Sequence, residues 1–153
     1  MARIEDIPEP TRSAVLGLVC APSASAPFVT GVPLAKRRVA IITSAALVRR
    51  GDAPFEPGSA EVRMLPASLA PADMVMSHVS INYDRSGWQR DINTIYPIDR
   101  LRELAAAGVI GSVADTHYSV MGSTDPATMA ATCEQIVGQL QQERSDAVLL
   151  SPV

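Results

Sequence analysis

Short β-branched apolar runs alternate along this chain with capped amphipathic segments, and that alternation restricts the fold more than any other feature. Arg38-Val39-Ala40-Ile41-Ile42-Thr43-Ser44 is apolar on both faces and of buried-strand length. Glu61-Val62-Arg63-Met64-Leu65 alternates as a half-buried strand should, and Asp73-Met74-Val75-Met76-Ser77-His78 reads as another short strand. Ala147-Val148-Leu149-Leu150 is a last apolar run, predicted as strand over 146–150. Between these lie two predicted helices. One spans 97–107, opening on Pro97 and closing before Gly108, with Ile98, Leu101, Leu104 and Ala105 on one face. The other spans 126–143, entered through Thr124-Asp125-Pro126, with a stripe of Met129, Cys133, Ile136, Val137 and Leu140.

A strand that is apolar on both faces requires cover on both. The pattern therefore predicts an α/β fold with a mainly parallel central sheet, Rossmann-like and three-layered, containing 39–44, 73–77 and 146–150. Residues 45–50 read as the start of a helix or as loop, and 79–96 and 114–124 as polar loops. Residues 1–37 are punctuated by Pro8, Pro10, Pro22, Pro27 and Pro33 and admit at most one short helix, about 11–20. The expected division is a Pro-rich segment over 1–37 and an α/β domain over 38–153.

Composition removes several functions. A net charge of −3, one Trp, three Tyr and two Phe give neither a basic face nor stacking platforms, so nucleic acid is not an expected partner. No run approaches the roughly 20 apolar residues of a membrane span. The apolar stretch 13–20 does not fit a secretory leader, because Glu5, Asp6 and Glu9 precede it, and a cytoplasmic location is expected. Cys20 and Cys133 lack metal or redox spacing and read as small hydrophobes. Two histidines 39 residues apart among loose aspartates make no metal signature, and no phosphate-binding glycine loop or GxSxG elbow occurs.

In open α/β sheets chemistry gathers beyond the carboxyl ends of strands. His78 sits at such an end, followed by Ser80, Asn82, Tyr83, Asp84 and Arg85. It reads either as a general acid or substrate-orienting donor or as a strand-end histidine tied to its loop. His117 and Tyr118, read in the second loop, carry the same two readings. Asp99 and Arg100, in the first turn of a helix, read as paired or solvated.

Four blocks carry the reading further. Ser77-His78-Val79-Ser80-Ile81-Asn82-Tyr83-Asp84, Asp91-Ile92-Asn93-Thr94-Ile95-Tyr96-Pro97-Ile98-Asp99-Arg100-Leu101, Gly108-Val109-Ile110-Gly111-Ser112-Val113-Ala114 and His117-Tyr118-Ser119-Val120-Met121-Gly122 stand in an order and spacing that resemble the selenoprotein B family of glycine, betaine, sarcosine and D-proline reductases. Weaker similarity reaches back to Val39–Ser44 and forward to Asp146–Leu150. Gly58-Ser59-Ala60 departs from the Gly-Asp-like turn common there, and the compact size is closer to the D-proline type.

The resemblance implies reductive cleavage of the C–N bond alpha to a carboxylate in an amine or amino acid. A partner subunit would supply a pyruvoyl carbonyl that captures the substrate amine; no cofactor is expected on this chain itself. A selenol or thiol would attack the alpha carbon, a nearby cysteine would close a selenide–sulfide or disulfide bond, and an external dithiol donor would reset it. The anion is the nucleophile in such a step.

In this family the selenocysteine or cysteine follows the apolar strand and its Pro-containing turn, here 146–150 and Ser151-Pro152-Val153. The nucleophile is thus expected after Val153. Two explanations stand for the chain stopping there: a selenocysteine UGA codon read as a stop, or an ordinary truncation or degenerate gene. Either way the isolated chain is expected to be inactive, with the last strand uncovered and prone to pair with a second copy. His78 and His117 are the expected proton-handling residues; Asn82, Asp84 and Tyr118 are expected to bind the substrate. The alternative is a non-catalytic or regulatory relative that binds a small carboxylate or a partner subunit through the 78–96 loop.

Overall fold

The computed structural model describes residues 3–17, 29–80 and 85–153. The chain divides into two compact units, Met1–Thr30 and Gly31–Val153. In the first, a 3-10 turn (Ile4–Asp6) precedes helix α1 (Thr11–Leu16). The Arg12 guanidinium donates to the Ile7 and Glu5 carbonyls, and Glu9 accepts from the Ser13 amide and hydroxyl.

The second unit holds strands β1 (Arg38–Thr43), β2 (Leu47–Arg49), β3 (Val62–Pro66) and β4 (Met74–Met76), helices α2 (Ser86–Arg90) and α3 (Ile98–Ala106), strands β5 (Ser112–Val113) and β6 (Thr116–Val120), helix α4 (Ala130–Gln142) and strand β7 (Ala147–Ser151). β1 is the axis. On one flank it pairs in parallel with β7 along five residues, Val39 opposite Ala147 through Thr43 opposite Ser151. On the other it pairs in parallel first with β5 and then with β6, and β3 closes that side antiparallel to β6.

The sheet is therefore mixed, and the expectation of a mainly parallel, Rossmann-like sheet is corrected in two places. Residues 73–77 do not enter it: β4 pairs antiparallel with β2 in a separate ribbon. Residues 114–124 are not loop throughout, because β6 lies inside the sheet.

Both faces of β1 are covered, which explains its unbroken apolar run. Val39 and Ile41 pack with Leu65, Ile95, Tyr96 and the α3 residues Ile98 and Leu101. Ala40 packs on the other face with Tyr118, Val120 and the α4 residue Ile136. Helix α3 ends as its sequence predicts, with Gly108 at a φ of 71° just past the last turn. Asp125 caps a 3-10 turn (Pro126–Thr128) through the Ala127 amide, one turn ahead of α4.

The α4 stripe is only half buried. Thr132 and Ile136 are buried and Met129 and Leu140 pack against the core, while Cys133 and Val137 are exposed. Strand β7 is likewise uncovered, with Val148, Leu149 and Leu150 exposed at 39%, 37% and 65%. Among the described residues no helix is long and apolar enough to cross a membrane.

Candidate active site at the carboxyl edge of the sheet

Because β1, β6 and β7 run in parallel, their carboxyl ends meet on one edge. Hydroxyl groups tie those ends together. The Thr43 and Ser151 hydroxyls both donate to the Ile95 carbonyl, at 2.8 and 2.9 Å, so the residues before α3 hold the tips of β1 and β7 side by side. The Ser44 amide donates to the Ser151 carbonyl, and the Val153 amide donates to Ser44 Oγ at 2.8 Å. The turn 151–153 is thereby folded back onto the end of β1.

His78 reaches the same edge from the end of β4. It is buried, its Nδ1 accepts from the Ser80 amide at 3.1 Å, and the Arg85 guanidinium donates to its carbonyl. Burial holds its pKa below the ordinary 6.5, and the Arg85 charge adds to the effect. The neutral ring with Nδ1 as acceptor carries its proton on Nε2. Nε2 lies against Gly122, whose amide donates to the Ser44 carbonyl. A Cβ on Gly122 would stand 2.8 Å from Ser44 O and 3.1 Å from both Ser44 Cβ and His78 Nε2. Only glycine lets the histidine, the end of β1 and the residues after β6 come this close. A small apolar cavity of about 160 Å³, lined by Ile42, Val120, Leu150 and Pro152 with Ser44 and Ser151, opens on the same edge.

His117 and Tyr118 sit differently from the loop positions expected of them. As neighbours in β6 they face opposite sides of the sheet, and both are completely buried. His117 Nδ1 accepts the Ile41 amide at 2.9 Å, filling the place in the ladder that β5 and β6 leave open, and its ring stands edge-on to Tyr96. Burial lowers its pKa to about 4, opposed by the Glu143 charge and reinforced by Arg102 and Arg38. Tyr118 packs under α4, and burial raises its pKa. Asn82 and Asp84 lie outside the described residues.

A second depression of about 360 Å³ lies beside α2, bordered by Trp88, Arg90, Asp91, Asn93 and Asp99. Its carboxylates are already engaged: Asp91 accepts twice from Asn93, and Asp99 accepts from Asn93 and Arg102. The Asn93 bonds hold both carboxyls below the usual range. Among the described residues, no group of three His, Cys, Asp or Glu side chains could hold a metal ion.

Sequence reasoning missed Thr43, Ser44, Gly122 and Ser151. Serine and glycine after a strand are common loop residues, and only the pairing of β1 with β7 on one side and β6 on the other brings them together.

Residues 29–153 match the family model described as glycine/sarcosine/betaine reductase selenoprotein B. The chain belongs to the selenoprotein B family. It is similar to the D-proline reductase subunit gamma of Acetoanaerobium sticklandii, 34% identical over 116 residues that cover 74% of this chain and 47% of that protein. It is 28% identical to the glycine reductase complex component B subunit gamma of Symbiobacterium thermophilum, over 77% of this chain and 29% of that protein. The corresponding protein of Carboxydothermus hydrogenoformans is 28% identical over 77% of this chain and 28% of its own length. This selenoprotein B-family chain thus spans less than half the length of the curated relatives it matches. No solved structure matches it.

Proposed function

We propose that the chain is part of a subunit of a glycine/betaine/sarcosine/D-proline-type reductase complex, which cleaves the C–N bond alpha to a carboxylate with electrons from a dithiol donor. Family membership supports the class of complex. The observation that carries the site is the meeting of His78, Ser44, Gly122 and the 151–153 turn on one sheet edge.

In such a complex the pyruvoyl carbonyl would belong to a partner subunit and would hold the substrate amine. The residues here fit a substrate-binding part. His78, neutral at pH 7 with its N–H on Nε2, can donate a hydrogen bond to a carboxylate oxygen of the substrate. The Ser44 hydroxyl, positioned by the Val153 amide, presents a second polar group on the same edge. Gly122 sets their spacing. The proposal keeps Asn82 and Asp84 as substrate-binding residues. His117 and Tyr118 act from behind the edge, His117 by fixing β1 through the Ile41 amide.

The test is His78→Asn in the assembled complex, in which steady-state kcat should fall by about 100-fold with the subunits still associated. An unchanged kcat and pH profile would remove His78 from the site.

A further inference from the structure

Helix α4 carries more apolar surface than the fold covers, and the excess lies on one flank. At about 100° per residue, Thr132 and Ile136 point toward the sheet, with Thr132 on the flank facing β3. The Thr132 hydroxyl fixes that assignment by donating to the Ala60 carbonyl, just ahead of β3. Cys133 and Val137 therefore occupy the opposite flank, toward β7, and both are exposed, Val137 at 50%.

The sheet below them is uncovered as well. Val148 and Leu150 stand in register with Ala40 and Ile42 and share their face, which is the α4 face. Four strands about 4.8 Å apart make a face roughly 19 Å wide, enough for two helices of about 10 Å, and α4 occupies one place. What remains is a groove with a floor of Val148 and Leu150 and a wall of Cys133 and Val137. It deepens at its carboxyl end into the 160 Å³ cavity lined by Ile42, Val120, Leu150 and Pro152.

We infer that this groove seats one amphipathic helix from the portion of a selenoprotein B-type subunit that lies outside the region matched here. The inference rests on the reading of the chain as part of a reductase subunit. Two observations choose this occupant. The D-proline reductase subunit gamma is matched over only 47% of its length, so more than half of that protein is further chain. The groove has the width of a single helix and an uncharged, apolar floor of Val148 and Leu150.

The experiment co-expresses the whole 153-residue chain with the portion of Acetoanaerobium sticklandii D-proline reductase subunit gamma outside the 116-residue match. Cys133 alkylation by iodoacetamide is then followed by mass spectrometry. A soluble 1:1 complex should form, with Cys133 reacting at least ten-fold more slowly than in the chain alone. Leu150→Asp should abolish both effects while leaving the melting of the chain unchanged, because Leu150 is exposed. Failure to recover a complex, a complex with Cys133 reacting at its free rate, or shielding of Cys133 by rising concentration of the chain alone would each overturn the inference; the last would assign the groove to a second copy. Reductase activity reports separately: a shielded Cys133 without activity in the full complex would fail the functional reading and leave the groove assignment standing.

Discussion

Acidification should destabilise this protein through His117. Its imidazole is completely buried, accepts the Ile41 amide in the middle of β1, and titrates near 4 instead of the ordinary 6.5. Above pH 6.5 the ring is neutral folded or unfolded, and it imposes no pH dependence. Between 6.5 and about 4 the unfolded chain takes up a proton that the folded chain refuses, so stability falls with pH at about 1.4 kcal/mol per unit. The full window is worth roughly 3 kcal/mol, and below pH 4 this group adds no further slope. The assay is urea unfolding at pH 7, 6, 5 and 4 on the wild type and on His117→Gln, whose carbonyl can still accept the Ile41 amide but does not titrate. His78, whose pKa is also lowered, contributes to both proteins and cancels in the comparison. The variant should lose about one proton's worth of slope across the window. Equal slopes, or a His117 resonance titrating near 6.5, would refute the reasoning.

Three further outcomes are expected. Ser119→Ala should cost about 1–3 kcal/mol in urea unfolding, because Ser119 Oγ accepts the buried Leu47 amide at 2.6 Å and nothing would replace it; Ser119→Thr should recover part of the loss. Gly122→Ala should cost about 1–3 kcal/mol through the contacts its Cβ would make with Ser44 and His78, and should shift the titration of His78 by NMR. The isolated chain should show no amino acid or amine reductase activity with a dithiol donor, since its proposed part is substrate binding; turnover by the chain alone would contradict that assignment.

The parts of the fold legible in the sequence are those built from uninterrupted apolar runs or bounded by their own start and stop residues. Val39–Ile42 announces a strand because helices cover both its faces without polar intermediaries, Ala147–Leu150 is an apolar run readable as strand although its faces are exposed, and α3 carries its own start and stop in Pro97 and Gly108. Strand β6 is illegible for a physical reason. Thr116-His117-Tyr118-Ser119-Val120 hides polar residues on its inward face, where His117 and Ser119 accept the Ile41 and Leu47 amides in place of ladder partners. The strand character of residues 74–76 was visible, but not their partner, because β2 is only three residues long and its ribbon with β4 depends on contacts across the chain. Cys133 and Val137 fit the α4 period yet lie exposed, since periodicity shows which residues share a face but not what covers it.

His78 was found because it ends a readable strand. Ser44, Gly122 and Ser151 were not, since their meeting follows from tertiary register.

The central claim is that this chain works inside a glycine- or D-proline-type reductase complex. Native purification under reducing conditions, followed by mass spectrometry of what co-elutes, tests it most directly. The account predicts a pyruvoyl-bearing subunit co-purifying in fixed ratio, and dithiol-dependent reductive cleavage of an amine or amino acid by that fraction. Recovery of the chain without such a subunit and without that activity would contradict it.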